Sequence, residues 1–295
     1  MNDAATRQII RARAILKNKR EREQFELLKS HDLHHETIRQ ALDGRFETNQ
    51  FWNFSKCGRE KIFKTCRGCR TVEQFEYSCS LKWCPRCQWK ITERRRQMLA
   101  VWVKRITQPK HLVLTQKNFP ILTPSRLRAH QKNLTKIRRL KCWKKVLGGC
   151  VSIEITNEGS GWHLHSHWLL DVRWLNMQEI SECWGRLCGQ EFAIVKILDC
   201  RNQDYLQEVT KYVCEGSEMA KWPPEQIHEF VSAIKGRRFF FPFGSLFKIG
   251  REIRAEVKAA KPADQPCACG CKDFIFETEE QATINELRQM NRRRR

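Results

Sequence analysis

An apolar run that contains three alternating histidines constrains the fold of this chain most strongly. Residues 161–170 read Gly-Trp-His-Leu-His-Ser-His-Trp-Leu-Leu, and the histidines are His163, His165 and His167. Successive side chains of a β-strand point to opposite faces, so a strand would place the three imidazoles on one face, about 7 Å apart. Such a face can bind a divalent cation and leave positions open for a substrate. The alternative is a half-buried strand whose histidines only satisfy nearby polar groups.

A β-hairpin is predicted around this strand. Residues 150–156 form a second strand-like run, and the intervening segment, Asn-Glu-Gly-Ser-Gly, is typical of a turn. If the turn centres near Gly159, Glu154 lies opposite His165 in the register. Its carboxylate would then project onto the imidazole face and could contribute a further metal ligand.

Closely spaced cysteine pairs predict a structural zinc site. The chain has fifteen cysteines, an odd number, and its N-terminus lacks a signal-peptide core, which argues for reduced or metal-bound thiolates rather than disulfides. Cys66 and Cys69 form one pair, and Cys84 and Cys87 form another after a 14-residue loop. Tetrahedral zinc prefers such tight turns, and its binding would stabilise a segment that has little apolar core.

Other cysteines leave the zinc ligand set open. Cys57 and Cys79 lie near the two pairs in the sequence and are further candidates for the same site. A later run, Cys267-Ala-Cys269-Gly-Cys271, has no obvious second pair. It is as compatible with a second metal as with free thiols.

The charge balance favours a nucleic-acid partner. The chain has 55 basic and 33 acidic residues, which gives a formal net charge of +22. A surplus of this size favours a polyanion through phosphate neutralisation and counterion release. No apolar run approaches the roughly 20 residues of a membrane-spanning helix, so we expect no membrane partner and a cytoplasmic protein.

Two basic helices are the predicted contacts to DNA phosphates. One follows the paired cysteines, and the other is predicted over 125–147, where nine cations occur without an acidic residue. A solvated charged face is the alternative for the second helix. The candidate phosphate-binding residues on these helices are Arg94, Arg95, Arg126, Lys136, Arg138 and Arg139.

The chain divides into four predicted regions. Residues 1–50 form a solvated, basic helical arm, and residues 51–105 form the zinc-binding module with its basic helix. The catalytic domain is predicted over 106–250, and a basic, cysteine-containing tail over 251–295.

Two of the three tyrosines fall on one predicted helix, over 202–214. At 100° per residue, Tyr205, Glu208 and Tyr212 share an arc of about 60°. A neighbouring apolar stripe would dock this helix on the sheet, and its members are Leu206, Val209 and Val213. A tyrosine at such an edge often only packs. Beside a bound cation, however, a phenol with a pKa of about 10 can attack a polarised phosphate.

Several blocks occur in the order found in one known family. The first residues of these blocks, in chain order, are Trp83-Cys84-Pro85-Arg86-Cys87, Leu112-Val113-Leu114-Thr115, Ile153-Glu154-Ile155-Thr156, Gly161, Glu208-Val209-Thr210-Lys211-Tyr212 and Lys235-Gly236-Arg237-Arg238. Together they resemble the rolling-circle replication initiators of small plasmids, in the HUH endonuclease superfamily. The resemblance implies an α+β fold, with a central antiparallel sheet of ferredoxin or RRM-like type, flanking helices and a small zinc module.

The resemblance also implies an activity. Such a protein is a metal-dependent endonuclease that nicks one DNA strand at a single-stranded or hairpin origin and becomes linked to the 5′ phosphate. The freed 3′ hydroxyl then primes synthesis, with a host helicase and polymerase as expected partners. By the same resemblance Tyr212 is the nucleophile, and Glu208 activates water to end the cycle.

His165 and His167 match the paired metal ligands of the family, and His163 is a third candidate. Glu154 joins them from the hairpin register, and the cation would be Mg²⁺ or Mn²⁺. Because Ser166 replaces the usual apolar residue between the paired histidines, His163 with His165 is the alternative pair.

Relatives commonly have a lysine three residues after the tyrosine, where this chain has Glu215. Lys211 could replace its contact to the scissile phosphate. The sequence is also compatible with two alternative functions. An HUH transposase would use both Tyr205 and Tyr212, and a zinc-containing DNA-binding protein would use neither.

Overall fold

A five-stranded antiparallel sheet positions the histidines in the computed structural model. The structure describes residues 23, 26–44, 49–106, 108–191, 193–200, 206, 209–210, 214–259, 267–282 and 284. In chain order the helices and strands are α1 (26–42), α2 (Asn49–Lys56), β1 (Lys61–Cys66), β2 (Val72–Glu76), α3 (Pro85–Val103), β3 (Pro109–Thr115), α4 (Pro124–Ile137), β4 (Gly148–Thr156), β5 (His163–Asp171), α5 (Met177–Cys188), β6 (Val195–Asp199), α6 (Gly216–Met219), α7 (Pro224–Ile234), β7 (Phe240–Phe243), α8 (Gly244–Ala259) and β8 (Phe274–Thr278).

The strand order of the large sheet is β6-β3-β5-β4-β7. β4 and β5 form the predicted hairpin, and their register pairs Glu154 with His165. The predicted register is therefore confirmed. The antiparallel sheets with flanking helices also confirm the predicted α+β class.

Strand alternation gives this sheet two different faces. One face is apolar, and its side chains belong to the main core with those of α4, α5 and α7. The sheet residues of this core include Leu112, Leu114, Val151, Ile153, Leu164, Trp168 and Leu170. The opposite face carries the histidines, and its Cys150 and Leu169 pack in a second cluster with residues of α3 and α8. The histidine strand is thus held between two helical layers.

A second sheet of three strands, in the order β2-β1-β8, forms the cysteine-rich module. β8 pairs with β1, which places Phe274 opposite Cys66. Residues of the predicted C-terminal tail therefore complete the predicted zinc module. α8 runs across the boundary predicted at residue 250 and packs on α3 and β4.

Two local predictions require correction. The helix predicted over 125–147 ends at Ile137, and a 3-10 turn, Lys141–Trp143, follows. This break lets Trp143 reach the sheet, where its ring lies 5.0 Å from that of Trp168. The helical arm is not solvated on every side, because His35, Ile38 and Leu42 of α1 are buried.

Among the described residues, every helix is too short or too polar to cross a bilayer.

Candidate active site and cysteine clusters

The three histidines of β5 lie side by side along one face. The ring centroids of His163 and His165 are 3.9 Å apart, and those of His165 and His167 are 6.2 Å apart. The residues between them, Leu164 and Ser166, are fully buried on the opposite face. This is the alternation expected of a strand, so the three imidazoles share one environment.

Glu154 contacts this row from β4. Its Oε2 lies 3.0 Å from the Nε2 of His167. Only 12% of the Glu154 side chain and 6% of the His167 side chain are exposed, so the pair is shielded from water. The buried Nδ1 of His167 has no hydrogen-bond partner within the described part of the chain. A fourth imidazole, His111 of β3, stacks on His167 with ring centroids 5.7 Å apart.

A cavity of about 430 Å³ opens over these residues. Three imidazoles and three carboxylates line it: His163, His165, His167, Glu154, Glu158 and Glu218. None of its described lining residues is a lysine or an arginine, although the chain carries a net charge of +22. Such a surface is complementary to a cation.

Sequence reasoning missed the contribution of Glu218. This residue belongs to α6, and its Oε1 accepts a hydrogen bond of 2.8 Å from the backbone N–H of Asn157, in the hairpin turn. Burial raises the pKa of the Glu218 carboxyl, and the nearby carboxylates of Glu154 and Glu158 raise it further. The only local signal was its position shortly after the tyrosine segment.

The histidine group is more open than the cysteine groups. Among the described residues, only two sets bring three or more metal-binding atoms within 4.8 Å of one another, and both consist of cysteines. The imidazoles and Glu154 are spread more widely along the cavity, so a cation there would have to replace the hydrogen bond between Glu154 and His167.

The predicted catalytic residues Tyr205, Glu208, Lys211 and Tyr212 lie outside the described residues. Two members of their predicted apolar stripe are described. Leu206 and Val209 are buried in the second cluster, with Cys150 and Leu169 of the histidine face. The backbone N–H of Thr210 donates to the carbonyl of Leu206, which is helical spacing.

The cysteines form two clusters, and the four predicted zinc ligands are divided between them. The first consists of Cys57, Cys79, Cys84 and Cys87, and the second of Cys66, Cys69, Cys267 and Cys269. The predicted grouping of Cys66 and Cys69 with Cys84 and Cys87 is thus wrong. Each cluster offers four thiols, the number that tetrahedral zinc requires, so each could hold a metal such as zinc.

Strand pairing explains the division. Cys66 ends β1, and Cys84 immediately precedes α3, so the two pairs lie on different elements. Antiparallel pairing of β8 with β1 brings the late cysteine run beside Cys66, and the N–H of Arg67 donates to the carbonyl of Asp273. The first pair therefore meets the late run, and the second pair meets Cys57 and Cys79.

Close contacts between the thiols shift the pKa values of neighbouring cysteines in opposite directions. Hydrogen bonds from Cys57, Cys79 and Cys84 lower the pKa of Cys87, whereas burial raises the pKa of Cys84. In the second cluster the Thr71 side chain and the neighbouring thiols lower the pKa of Cys69 to about 6. Thiolates of this kind are the form that binds metal.

The predicted phosphate-binding residues do not form one surface. Arg94 and Arg95 belong to α3 on the histidine side, whereas α4 packs against the other face of the sheet. Arg95 and Arg138 are half-buried, and their guanidinium groups lie over Phe240 and Phe243 at 5.1 and 5.0 Å. The exposed members of the predicted set are Arg94, Arg126, Lys136 and Arg139.

Comparison with known proteins identifies the family. A family model described as replication protein matches residues 71–284, which is most of the chain. The chain belongs to the rolling-circle plasmid Rep family. This plasmid replication initiator carries the histidine strand, the cavity and the second cysteine pair, Cys84 and Cys87, within the matched region, whereas Cys66 and Cys69 precede it. Membership favours replication initiation over transposition. No curated protein and no solved structure matches the initiator.

Proposed function

We propose that this initiator nicks and rejoins one DNA strand at its plasmid origin through a covalent 5′-phosphotyrosine link. The observation that carries the proposal is the cavity in which three imidazoles and three carboxylates meet, with no lysine or arginine among its described lining residues, on a strongly basic chain. Such a site fits a divalent cation, and the net positive charge of the chain fits the DNA that the cation would contact. Family membership supports the origin as the target.

The proposed ligands are His165, His167 and Glu154, with His163 as a further candidate. Imidazole and carboxylate together suit Mn²⁺, and Mg²⁺ is the other candidate. The buried Nδ1 of His167, which has no hydrogen-bond partner among the described residues, and the hydrogen bond between its Nε2 and Glu154 support this donor set. When bound, the cation would polarise the scissile phosphate.

Tyr212 is the proposed nucleophile. Its phenol oxygen attacks phosphorus after losing its proton to water or a nearby base, and a new Tyr–O–P bond forms. The bond between phosphorus and the 3′ oxygen breaks, and that oxygen takes up a proton to become the 3′ hydroxyl. One phosphate ester replaces another, so the reverse reaction can rejoin a strand. Burial of Leu206 and Val209 on the histidine face supports this assignment.

Two further residues are proposed for this segment. Glu208 would accept the proton of a water that hydrolyses the link and ends the cycle. Lys211 would contact the scissile phosphate. The candidate residues Arg94 and Arg95 of α3, and Arg126, Lys136, Arg138 and Arg139 in and just after α4, would bind flanking phosphates on the two sides of the protein.

The cysteine clusters are proposed to bind structural Zn²⁺. Each would fix short strands that have little apolar core, and the second would also tie β8 to β1. Because its substrate is plasmid DNA, we propose that the initiator acts in the cytoplasm, with a host helicase and polymerase following the nick.

The test is a covalent adduct with single-stranded origin DNA. The protein is incubated with Mn²⁺ and an oligonucleotide that is labelled on the 3′ side of the nick, because that product retains the 5′ phosphate. We expect a labelled protein band with the native protein and with Tyr205→Phe, and none with Tyr212→Phe. Tyr77→Phe, in the cysteine-rich module, is the matched control and should retain the band.

An adduct that survives Tyr212→Phe contradicts the single nucleophile. Loss of the band only in the double variant of Tyr205 and Tyr212 would favour a two-tyrosine mechanism. If the native protein binds origin DNA but forms no adduct, the nicking proposal fails.

A further inference from the structure

A second cavity, of about 920 Å³, lies on the β7 side of the sheet and has the opposite charge. It is bounded by α3, the segment before β7, β7 itself and α8. Seven lysine or arginine side chains line it, and no aspartate or glutamate is among its described lining residues. Four of the seven are exposed: Arg238, Lys248, Arg251 and Arg254. We call this cavity the basic groove.

α8 separates its charges between two sides. Lys248, Arg251 and Arg254 recur every three residues and line the basic groove. The acidic residues of the same helix, Glu252 and Glu256, instead pair with Arg105 at the end of α3. The groove side is therefore left without counter-charges from this helix, although carboxylates are available one residue away.

The inner cations of the groove are partly buried. Burial lowers the pKa of Arg95 to about 10, so the guanidinium remains charged at neutral pH. Burial also lowers the pKa of Lys82, and the nearby Arg95 and Arg238 lower it further. Within the described part of the chain, neither Arg95 nor Lys82 forms an ion pair with a carboxylate. Cations held close together in this way favour an anionic ligand.

Aromatic rings lie among these cations. Phe247 lines the groove and is 69% exposed, which is unusual for so large an apolar side chain. Phe240 is half-buried, with the guanidinium of Arg95 over its ring. Phosphate-binding cations interleaved with exposed rings are typical of single-stranded nucleic-acid sites, because the rings stack on unpaired bases.

The groove reaches to within two strands of the histidine row. Phe240 pairs with Ser152 across β7 and β4, and Ser152 pairs with His167 across β4 and β5. At about 4.8 Å between neighbouring strands, Phe240 lies about 10 Å from the histidine strand. At about 3.4 Å per nucleotide, the spacing along one strand of a duplex, a DNA strand held in the groove could thus reach the proposed metal site within about three nucleotides.

We propose that the basic groove binds the single-stranded DNA that flanks the nick. Its arginines and lysines contact consecutive phosphates, and Phe247 stacks on an unpaired base. This proposal rests on the proposed nicking function, because the groove would hold the strand whose phosphate enters the metal site.

The test uses the zinc-loaded full chain without added Mg²⁺ or Mn²⁺, so that binding is measured without cleavage. Fluorescence anisotropy follows an oligothymidylate of about 20 nucleotides and a blunt duplex of the same length over a range of salt concentrations. The groove variants are Arg251→Gln with Arg254→Gln, and Phe247→Ala. The matched control is Lys272→Gln with Arg173→Gln, two exposed cations outside the groove.

We expect the double groove variant to flatten the dependence of log affinity on log salt by about 1.4, at about 0.7 per lost single-strand phosphate contact. Phe247→Ala should weaken single-strand binding about 5- to 100-fold and leave the salt slope unchanged, because it removes stacking and no charge. The control should change the slope much less. All five substituted positions are exposed, so thermal midpoints should stay close to that of the native protein.

Groove variants that behave like the control overturn the proposal, as does an equal loss of affinity for the duplex. The adduct assay separates the two hypotheses. If the native protein forms the tyrosine adduct and the groove variants bind normally, the groove proposal alone is wrong. If no adduct forms and the variants still lose single-strand affinity, the groove stands and the nicking proposal fails.

Discussion

The carboxylate of Glu154 lies 3.0 Å from the Nε2 of His167, although the strand register pairs Glu154 with His165. The Glu154 side chain therefore reaches diagonally across the hairpin. Glu154 is the strand-pairing partner of His165, and its carboxylate contacts His167. His163 lies at the other end of the row, with its ring against that of His165. This arrangement favours His165 and His167 as the proposed metal pair.

The first prediction tests that pair by direct Mn²⁺ titration of the zinc-loaded protein. Glu154→Gln and His167→Asn should each weaken Mn²⁺ binding by about tenfold or more, because each removes a proposed ligand. His163→Asn should have a smaller effect. Ser166→Ala is the control, since this side chain is buried on the opposite face and donates to the carbonyl of Leu114. Stronger dependence on His163 than on His167 would reverse the assignment.

The second prediction concerns zinc content. We expect two zinc ions per chain, measured by elemental analysis of protein purified without chelator. Cys267→Ser with Cys269→Ser should remove one ion, and Cys57→Ser with Cys79→Ser should remove the other, because each pair is half of a four-thiol cluster. Cys200→Ser, outside both clusters, should leave two. If the native protein contains one zinc ion and each double variant contains none, the cysteines form one shared site.

The third prediction is a pH dependence caused by His35 in α1. Burial lowers its pKa to about 4, and its Nε2 donates to the carbonyl of Phe54 at 2.9 Å. The unfolded chain, with a histidine pKa near 6.5, binds more protons below that pH, so this contribution to stability is lost as the pH falls from about 6.5 to 4. His35→Gln, which can still donate to Phe54, should reduce the loss of unfolding free energy between pH 7 and pH 5 by about 2 kcal/mol.

Urea unfolding at the two pH values measures this difference. Protonation of the cysteine clusters affects both proteins alike and cancels in the comparison. Parallel pH profiles for the native protein and His35→Gln would show that His35 does not contribute.

The fourth prediction compares two glycines in the hairpin turn. Gly159 and Gly161 both have positive φ, at +97° and +94°, so alanine strains the backbone at either position by about 1 to 2 kcal/mol. Only at Gly161 would the added Cβ meet another group, the carbonyl oxygen of Phe119 at 2.8 Å. That carbonyl accepts from the N–H of Trp162, just before His163.

Gly161→Ala should therefore lower the unfolding free energy more than Gly159→Ala and should also weaken Mn²⁺ binding. Chemical denaturation and the Mn²⁺ titration measure the two effects. Equal effects of the two substitutions would show that the contact with Phe119 does not hold the start of β5.

Local patterns predicted much of the frame of the site. Alternation in β5 and the turn before it were enough to place Glu154 opposite His165, because the period of a strand and the length of a turn fix a hairpin register. The same reasoning anticipated the buried stripe of Leu206 and Val209. The sequence pattern predicted too long a helix for α4, because apolar residues continue at helical spacing past Ile137. In the structure the chain leaves the helix there, and Trp143 packs against Trp168 of the sheet.

The sequence by itself determined the α+β class, the row of imidazoles and the expectation of thiolate zinc sites, since each depends on spacing within about twenty residues. Only the tertiary structure decided which thiols meet and which carboxylates join the histidines. Cys66 and Cys269 are 203 positions apart, and Glu218 reaches the hairpin turn from 61 positions away. Such contacts form because strands pair and helices pack between segments that are far apart in the chain. The spacing of residues within one segment does not reveal which distant segment it will meet.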